Sequence, residues 1–292
     1  IPSRLVGSEM CIRDSYPTML DFETGNTCNL ECVQCNGEYS SSIRKNREKQ
    51  PPYISPYDDA FVEQLTEFIP HLKQMRFAGG EPFLIPLYYD IWEKALATNP
   101  RIEYSVQTNG TIRNQRVKNL LAKGMFRMNV SIDSLQLQRY EQIRKNASFS
   151  RVMENILWFI DYCRGHNTHM GIDVCVMRQN VDELPDFVSF CNENGCHLNF
   201  HLVKFPLHSA VWNLPETEIL KIREHYQAFN FPASTTCEKH NHKVFQDLIL
   251  QMEDWLIAAQ TRNYEAKTDL TEPLTLDETK TAFIQKMEEY LT

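Results

Sequence analysis

The sequence predicts an α/β fold in which six strand–helix units form a parallel sheet curled into a partial (βα)6 barrel, followed by a helical region. Two observations lead to this prediction. Between residues 17 and 206, short β-rich runs alternate strictly with amphipathic helical patterns, which is typical of a parallel sheet with right-handed crossovers. After Pro206 the patterns are helical only. We therefore expect a barrel at 17–206 and a helical extension at 207–292.

Six strands are predicted from alternating apolar residues and β-rich runs. They lie at 18–22, 75–77, 102–106, 126–132, 171–177 and 198–203. The intervening helices are predicted to begin near Ser55, Pro86, Gln115, Ser150 and Val181. At the first of these, a Ser cap is followed by Pro and then by an acidic residue at the third position, a typical helix start. In the extension, helices are predicted at 216–228, 243–261 and 277–291, with an exposed connection at 262–273.

Composition limits the class of protein. A chain of 292 residues with 42% apolar content can bury a large core. Its net charge of −8 gives no reason to expect nucleic acid or an anionic membrane as a partner, and the basic run at 44–49 is predicted to be a solvated loop. No stretch is apolar over the length of a membrane span. Nine cysteines without an export signal favour a reducing compartment, the cytoplasm.

The first residues are unlike the rest of the chain. Residues 6–15 resemble translated adapter sequence of the kind found at the ends of environmental gene fragments. We therefore expect residues 1–16 to be a non-native or disordered segment and exclude them from the fold prediction.

Three cysteines lie together directly after the first predicted strand. Cys28, Cys32 and Cys35 have C-x3-C-x2-C spacing, and three thiolates on one short loop can bind three corners of an iron–sulfur cube. The fourth iron then lacks a protein ligand, and an open metal position is where chemistry occurs. The alternative is a structural zinc site, which needs four ligands. No fourth Cys or His lies near this loop, and the later pair His240 and His242 is far along the chain.

This triplet resembles the signature of the radical S-adenosylmethionine (radical SAM) superfamily, whose core is a partial TIM-like barrel. The resemblance implies a 4Fe–4S cluster whose fourth iron binds the amino and carboxylate groups of S-adenosylmethionine. One electron then cleaves that cofactor to methionine and a 5′-deoxyadenosyl radical, which abstracts hydrogen from the substrate. It also implies reduced ferredoxin or flavodoxin as electron donor. A cluster-binding homologue that serves electron transfer or sensing, and a zinc-stabilised binding module, remain as alternatives.

Further motifs follow the second and third predicted strands. Gly79, Gly80 and Glu81, followed by Pro82, resemble the family's GGEP turn, which contacts the methionine amino group in relatives. Glycines allow close backbone approach, and a carboxylate can accept hydrogen bonds from an ammonium group. Thr108 begins a segment that resembles the family's TNG turn. The resemblance therefore implies that these residues bind the cofactor.

Two later strand ends carry polar residues. Ser131 and Asp133 close the fourth strand, where relatives place polar groups near the ribose, and hydroxyl and carboxylate groups can bond sugar hydroxyls. Asn180 follows the fifth strand and matches a position that lines the adenine in relatives. Arg144 lies in a segment found in peptide-modifying relatives and is expected at the surface, with contact to an anionic group as the alternative.

One position departs from the family pattern. Many relatives have an aromatic residue just before the third cysteine, where this chain has Gln34; an amide can still bond an adenine edge. The likeness is greatest to the twitch/SPASM peptide-modifying branch, so we expect a peptide or protein substrate, with a small molecule as the alternative. Many such relatives bind an auxiliary cluster downstream of the barrel, where the present sequence has only Cys237. The other four cysteines are expected to be core thiols: Cys163, Cys175, Cys191 and Cys196.

Overall fold

The computed structural model describes residues 16–261. The predictions for the N-terminal segment, for the connection at 262–273 and for the helix at 277–291 lie outside the described residues. The strands are β1 Met19–Phe22, β2 Glu31–Cys32, β3 Gln74–Phe77, β4 Glu103–Thr108, β5 Met125–Ser131, β6 Arg144–Lys145, β7 Met170–Val176 and β8 His197–Leu202. The helices are α1 Ser41–Asn46, α2 Asp59–Gln64, α3 Pro86–Thr98, α4 Gln115–Leu121, α5 Leu137–Ile143, α6 Phe149–Gly165, α7 Leu184–Asn194, α8 Glu216–Gln227 and α9 Thr236–Thr261.

Six of the strands form one sheet in the order β1-β3-β4-β5-β7-β8. The pairs β1–β3, β3–β4, β4–β5 and β7–β8 are parallel. In the register of these pairs, Phe22 of β1 lies beside Phe77 of β3, and Phe77 lies beside Val106 of β4. The predicted α/β class with its six parallel strands is confirmed, and each predicted strand lies within about two residues of an observed one.

The chain divides into two compact units. Unit 1 comprises residues 16–31, Cys35–Val130 and Asn146–Met170, and unit 2 comprises Cys32–Gln34, Ser131–Lys145 and the described residues from Gly171 onward. The predicted boundary at residue 206 stays a prediction. None of the helices within 16–261 has the length and apolarity that a membrane crossing requires.

Aromatic side chains form the core of unit 1. Helix α3 begins with Pro86, whose fixed φ suits the first turn of a helix, and it buries Tyr88 and Trp92 completely. Trp92 packs on Phe77 of β3 with ring centroids 4.9 Å apart. The hydroxyl of Tyr88 also donates to the carbonyl oxygens of Phe22 and Ala78. This contact fixes the ends of β1 and β3, after which the first functional loops begin.

The helix that follows the cysteine loop begins later than the sequence predicted. Residues 52–58 have no regular structure, and Asp58 caps α2 by accepting from the Phe61 N–H at 3.1 Å. The predicted start at Ser55 is therefore wrong, because the helix is capped by the Asp58 side chain and not by that of Ser55. The basic run at 44–49 was predicted to be a loop, and its first half instead belongs to α1.

In unit 2, helix α9 packs beside β8 and α7. It begins at Thr236 rather than at the predicted 243. Thr235 and Glu238 form a capping box in which the Glu238 N–H donates to the Thr235 hydroxyl and the Thr235 N–H donates to the Glu238 carboxylate. These hydrogen bonds lower the pKa of Glu238. Asn241, which is fully buried, accepts from the Leu198 N–H at 2.8 Å.

The cysteines predicted to be core thiols lie within the fold. Cys163, Cys191 and Cys196 are buried as predicted, whereas Cys175 is only half-buried. None of the eight cysteines that the structure describes forms a disulfide.

Candidate functional site

The first part of the site surrounds Cys28 in unit 1. Its sulfur accepts from the Leu30 N–H at 3.5 Å and from the Asn109 side-chain amide at 3.8 Å. Burial raises the pKa of the Cys28 thiol, the hydrogen bond from Leu30 lowers it, and the negative charge of Glu81 raises it further. Hydrogen bonds to sulfur are the contacts by which proteins tune cluster ligands. The surroundings of Cys28 therefore fit an iron–sulfur ligand, whose proton the metal displaces on binding.

The Gly79-Gly80 turn packs on the backbone that leads into Cys28. Both glycines have positive φ, +84° and +45°. A Cβ atom on Gly80 would lie 2.3 Å from the Thr27 carbonyl oxygen, and the Glu81 N–H donates to that same oxygen at 2.7 Å. Only glycine allows this approach. The turn after β3 is thereby joined to the loop that carries the first cysteine.

Replacing Gly80 by alanine is expected to lower the free energy of unfolding by at least about 2 kcal/mol, because the new methyl group meets backbone atoms at positive φ. Urea unfolding followed by circular dichroism measures this change. Gly165→Ala is the matched control, since a Cβ there meets no atom within 4 Å and φ is not positive. Equal effects of the two substitutions would contradict the packing described for Gly80.

Glu81 joins the ends of two strands. Its carboxylate is fully buried and accepts from the Thr108 hydroxyl at 2.8 Å and from the Asn109 N–H at 2.7 Å. The Phe83 N–H donates to the same carboxylate at 3.2 Å. The structure thus brings together Glu81 and Thr108, which the sequence analysis selected separately. It also shows that the carboxylate organises the turn after β4.

Asn109 connects that turn to the cysteine loop. Besides its contact with Cys28, its side-chain amide donates to the Asn29 side chain at 3.0 Å. The Asn29 amide in turn donates to the Thr111 hydroxyl at 3.0 Å. The sequence placed Asn109 in a turn motif without assigning it a contact with a cysteine. Only long-range geometry identifies that contact, because 81 residues separate the two side chains.

The second part of the site, in unit 2, is centred on Asp133. This side chain is fully buried and forms an ion pair with Arg144 at 2.8 Å. It also accepts from the Gln34 amide at 2.7 Å and from the Cys175 N–H at 2.8 Å. The expectation of a surface position for Arg144 is wrong, since the residue is 5% exposed. A buried carboxylate requires a cation or several donors nearby, and here it has both.

Arg144 also lies in the electrostatic field of the second cysteine. Burial works against its charged form, but the negative charges of Asp133 and Cys32 raise the pKa of the guanidinium above its ordinary value. The Cys32 loop is fixed by the Val33 N–H, which donates to the Ile143 carbonyl at 2.9 Å. Gln34, considered above as an adenine contact, donates its side-chain amide to Asp133, and its contact with adenine stays a prediction. Cys32 is thus a buried thiol beside a buried cation.

Asn180 is fully buried and bonded to its own chain. Its amide nitrogen donates to the carbonyls of Asp133 and Cys175 at 2.7 and 2.9 Å, and its oxygen accepts from the Met177 N–H at 2.9 Å. Ser131 is half-buried at the end of β5. The structure therefore places Asn180 as a support for the Asp133 loop. Contacts of Ser131, Asp133 and Asn180 with a nucleoside stay predictions.

The zinc alternative requires several ligands around one ion. No group of three or more His, Cys, Asp or Glu side chains able to hold a metal ion occurs within residues 16–261. A four-iron cube presents a separate corner to each thiolate, so its ligands need not converge on one point. Cys237 and His240 lie on α9, where Cys237 donates to the Cys196 carbonyl and His240 contacts the Leu198 carbonyl.

The sheet is parallel, a cysteine triplet follows its first strand β1, and a Gly-Gly-Glu-Pro turn follows β3, the strand beside it. Together these features define a class of iron–sulfur enzymes. The family model "Radical SAM superfamily" matches residues 22–191, more than half of the chain, and the chain therefore belongs to the radical SAM superfamily. It is an enzyme of this class, which uses a 4Fe–4S cluster and S-adenosylmethionine. The expected class and cofactors are confirmed.

Curated relatives include a protein of Methanocaldococcus jannaschii described as "Probable GTP 3′,8-cyclase", 30% identical over 59% of this chain. The GTP 3′,8-cyclase of Pseudomonas fluorescens is 25% identical over 78% of this chain. The chain spans 54% and 63% of the length of these two proteins. These matches do not specifically support the peptide-modifying branch that the sequence analysis favoured.

Solved structures show the same fold at low identity. SuiB of Streptococcus suis bound to S-adenosylmethionine matches with a TM-score of 0.52 and 16% identity, over 77% of this chain and 50% of SuiB. The enzyme anSMEcpe with bound AdoMet matches with a TM-score of 0.53 and 18% identity, over 82% of this chain and 62% of that chain. These likenesses confirm the fold of the core.

Proposed function

We propose that Cys28, Cys32 and Cys35 bind the 4Fe–4S cluster of a hydrogen-abstracting radical enzyme. The observation that carries this proposal is the cysteine triplet within eight residues, together with the turn at Gly79–Glu81 that packs on the backbone before Cys28. When bound, the cluster and S-adenosylmethionine together supply a 5′-deoxyadenosyl radical by one-electron reductive cleavage. The protein itself binds, orients and shields the reacting groups.

Each group of residues has a separate task in this proposal. Asn109 and the Leu30 N–H stabilise the Cys28 thiolate by donating to its sulfur. The turn at Gly79–Glu81 holds the methionine end of the cofactor, and the Glu81 carboxylate fixes Thr108 beside it. Ser131 and Asp133 serve the ribose, and Asn180 keeps the Asp133 loop in place. The helices after residue 206 help to exclude water from the radical.

Glu81→Gln is expected to weaken S-adenosylmethionine binding about tenfold while leaving the iron content unchanged. A glutamine would place an amide donor against the Asn109 N–H or the Thr108 hydroxyl, and the turn after β4 would shift. Calorimetric titration of the cluster-loaded protein measures the affinity, and iron and sulfide assays measure loading. Unchanged affinity would remove Glu81 from the cofactor site.

The proposed substrate is a peptide or protein. Solved structures that match this fold include SuiB with its precursor peptide SuiA, at a TM-score of 0.53 over 84% of this chain, which supports this choice at the level of fold. GTP is the second candidate, favoured by the GTP 3′,8-cyclases among the curated relatives. We also propose that the enzyme acts in the cytoplasm with reduced ferredoxin or flavodoxin as donor, in keeping with its free thiols.

Anaerobic reconstitution tests the reaction class. Four irons and four sulfides per chain with 5′-deoxyadenosine formed on reduction are expected for a radical enzyme. A cluster without cofactor cleavage would support a sensor or electron carrier, and one zinc without sulfide would support a binding module. Repeating the assay with deuterated peptides and deuterated GTP then identifies the substrate class, because the true substrate transfers deuterium to 5′-deoxyadenosine.

A further inference from the structure

A basic and aromatic surface follows the cysteine loop in unit 1. We call it the basic patch and define it as Lys45, Arg47 and Lys49, all exposed, with Tyr53 and Ile54 beside them in the sequence. Tyr53 is 54% exposed and Ile54 is 89% exposed. Tyrosine and arginine are among the residue types that are enriched in protein interfaces.

The basic patch is positive on a chain whose net charge is −8. None of its three cations forms an ion pair with any residue between 16 and 261. Two glutamates lie close to the patch in the sequence, and both bind other groups. Glu38 forms an ion pair with Arg44 at 3.1 Å, and Glu48 accepts from the Gly37 N–H at 2.7 Å. The three cations are therefore available to a negatively charged partner.

The patch is held in a defined shape. The Gln50 N–H donates to the Arg44 carbonyl at 2.9 Å, and the Arg44 guanidinium donates to the Pro51 carbonyl at 2.6 Å. The same guanidinium lies 5.0 Å from the centre of the Tyr53 ring. These contacts hold the backbone of the loop after α1 against the helix, so a partner that docks here does not have to order the loop itself.

The patch is connected to the first cysteine through a single short helix. Ser41 and Ser42, which begin α1, donate to the Cys28 carbonyl at 3.1 and 2.8 Å. The Cys28 N–H donates to the Ser41 hydroxyl at 3.0 Å. A helix of six residues is only about 9 Å long. Lys45 and its neighbours therefore lie within a short distance of the sulfur that we propose binds iron.

We propose that the basic patch is the docking site for an acidic one-electron carrier protein, which transfers one electron to the cluster and is itself oxidised by one electron. This inference rests on the proposed function of Cys28. The cations steer the acidic carrier, and Tyr53 and Ile54 provide the apolar contact. Transient redox encounters bury small areas, below about 1,200 Å², so such a partner does not require an extended apolar surface.

A charge-reversal variant tests the proposal, with Lys45, Arg47 and Lys49 each changed to Glu. The control variant changes Lys123, Lys221 and Lys239 to Glu, which are exposed elsewhere and alter net charge equally. Stopped-flow bleaching with reduced flavodoxin at low ionic strength is expected to be roughly 10- to 100-fold slower for the patch variant than for the control. The difference should shrink as salt is added, and both variants should react equally with dithionite.

A fluorescence titration with flavodoxin needs no cluster in the enzyme and supplies an independent measure of binding. We expect the patch variant to bind flavodoxin more weakly than the control variant does. Equal slowing of both variants, or an unchanged rate for the patch variant, would overturn the docking site. If dithionite yields no 5′-deoxyadenosine with the unchanged enzyme, the proposed function fails instead, and the titration still decides whether flavodoxin docks on the patch.

Discussion

Replacement of Cys32 by alanine is expected to abolish both the visible absorption of the cluster and the formation of 5′-deoxyadenosine. With one of three thiolates removed, the cube loses a corner ligand from a loop that offers no substitute, since residues 29–31 and 33–34 contain no Cys or His. Anaerobic reconstitution followed by iron and sulfide assays measures the cluster. Chromatography after dithionite reduction measures the cleavage product.

Cys237→Ala is the control, because Cys237 is a half-buried cysteine that, like Cys32, forms no disulfide but lies on α9, far along the chain from the cysteine loop. This variant is expected to retain iron content and product formation at the level of the unchanged protein. If Cys32→Ala retained either property at that level, the ligand assignment would be refuted. Cys28→Ala and Cys35→Ala are expected to behave as Cys32→Ala does.

Replacement of Arg144 by methionine is expected to cause a large decrease in the free energy of unfolding. This change leaves the fully buried Asp133 carboxylate without its cation, and breaking one side of a buried ion pair costs about 3–5 kcal/mol. The remaining donors, the Gln34 amide and the Cys175 N–H, compensate only in part. Urea unfolding of the protein without cofactors should show this decrease in the free energy of unfolding.

A double variant separates the cost of the unpaired Asp133 charge from the other effects of removing the Arg144 side chain. Asp133→Asn combined with Arg144→Met is expected to be more stable than Arg144→Met alone, because no uncompensated buried charge remains. Arg76→Met is the surface control: its partner Asp21 and Arg76 itself are both more than half exposed, so about 0–1 kcal/mol is expected. A loss for Arg144→Met no larger than that of this control would show that the buried pair does not stabilise the fold.

Much of the fold and part of the candidate site were predictable because their causes are local in the chain. The alternation of apolar residues predicted the strands, and the spacing of Cys28, Cys32 and Cys35 is the pattern from which we propose the cluster ligands. Gly79 and Gly80 were recognisable because positive φ selects glycine regardless of what surrounds it. Short-range features of this kind depend on few residues, and a single sequence displays them directly.

The sequence by itself determined the class of fold, the position of the cysteine loop and the Gly-Gly turn, whereas only the tertiary structure decided the partners of the buried charged groups. Nothing local pairs Arg144 with Asp133, or joins Asn109 to Cys28 across 81 residues. Likewise, only the structure shows that the Asn180 amide donates to the backbone carbonyls of Asp133 and Cys175. The physical reason is that a buried polar group must find partners wherever the chain brings them, and those partners lie far apart in the sequence.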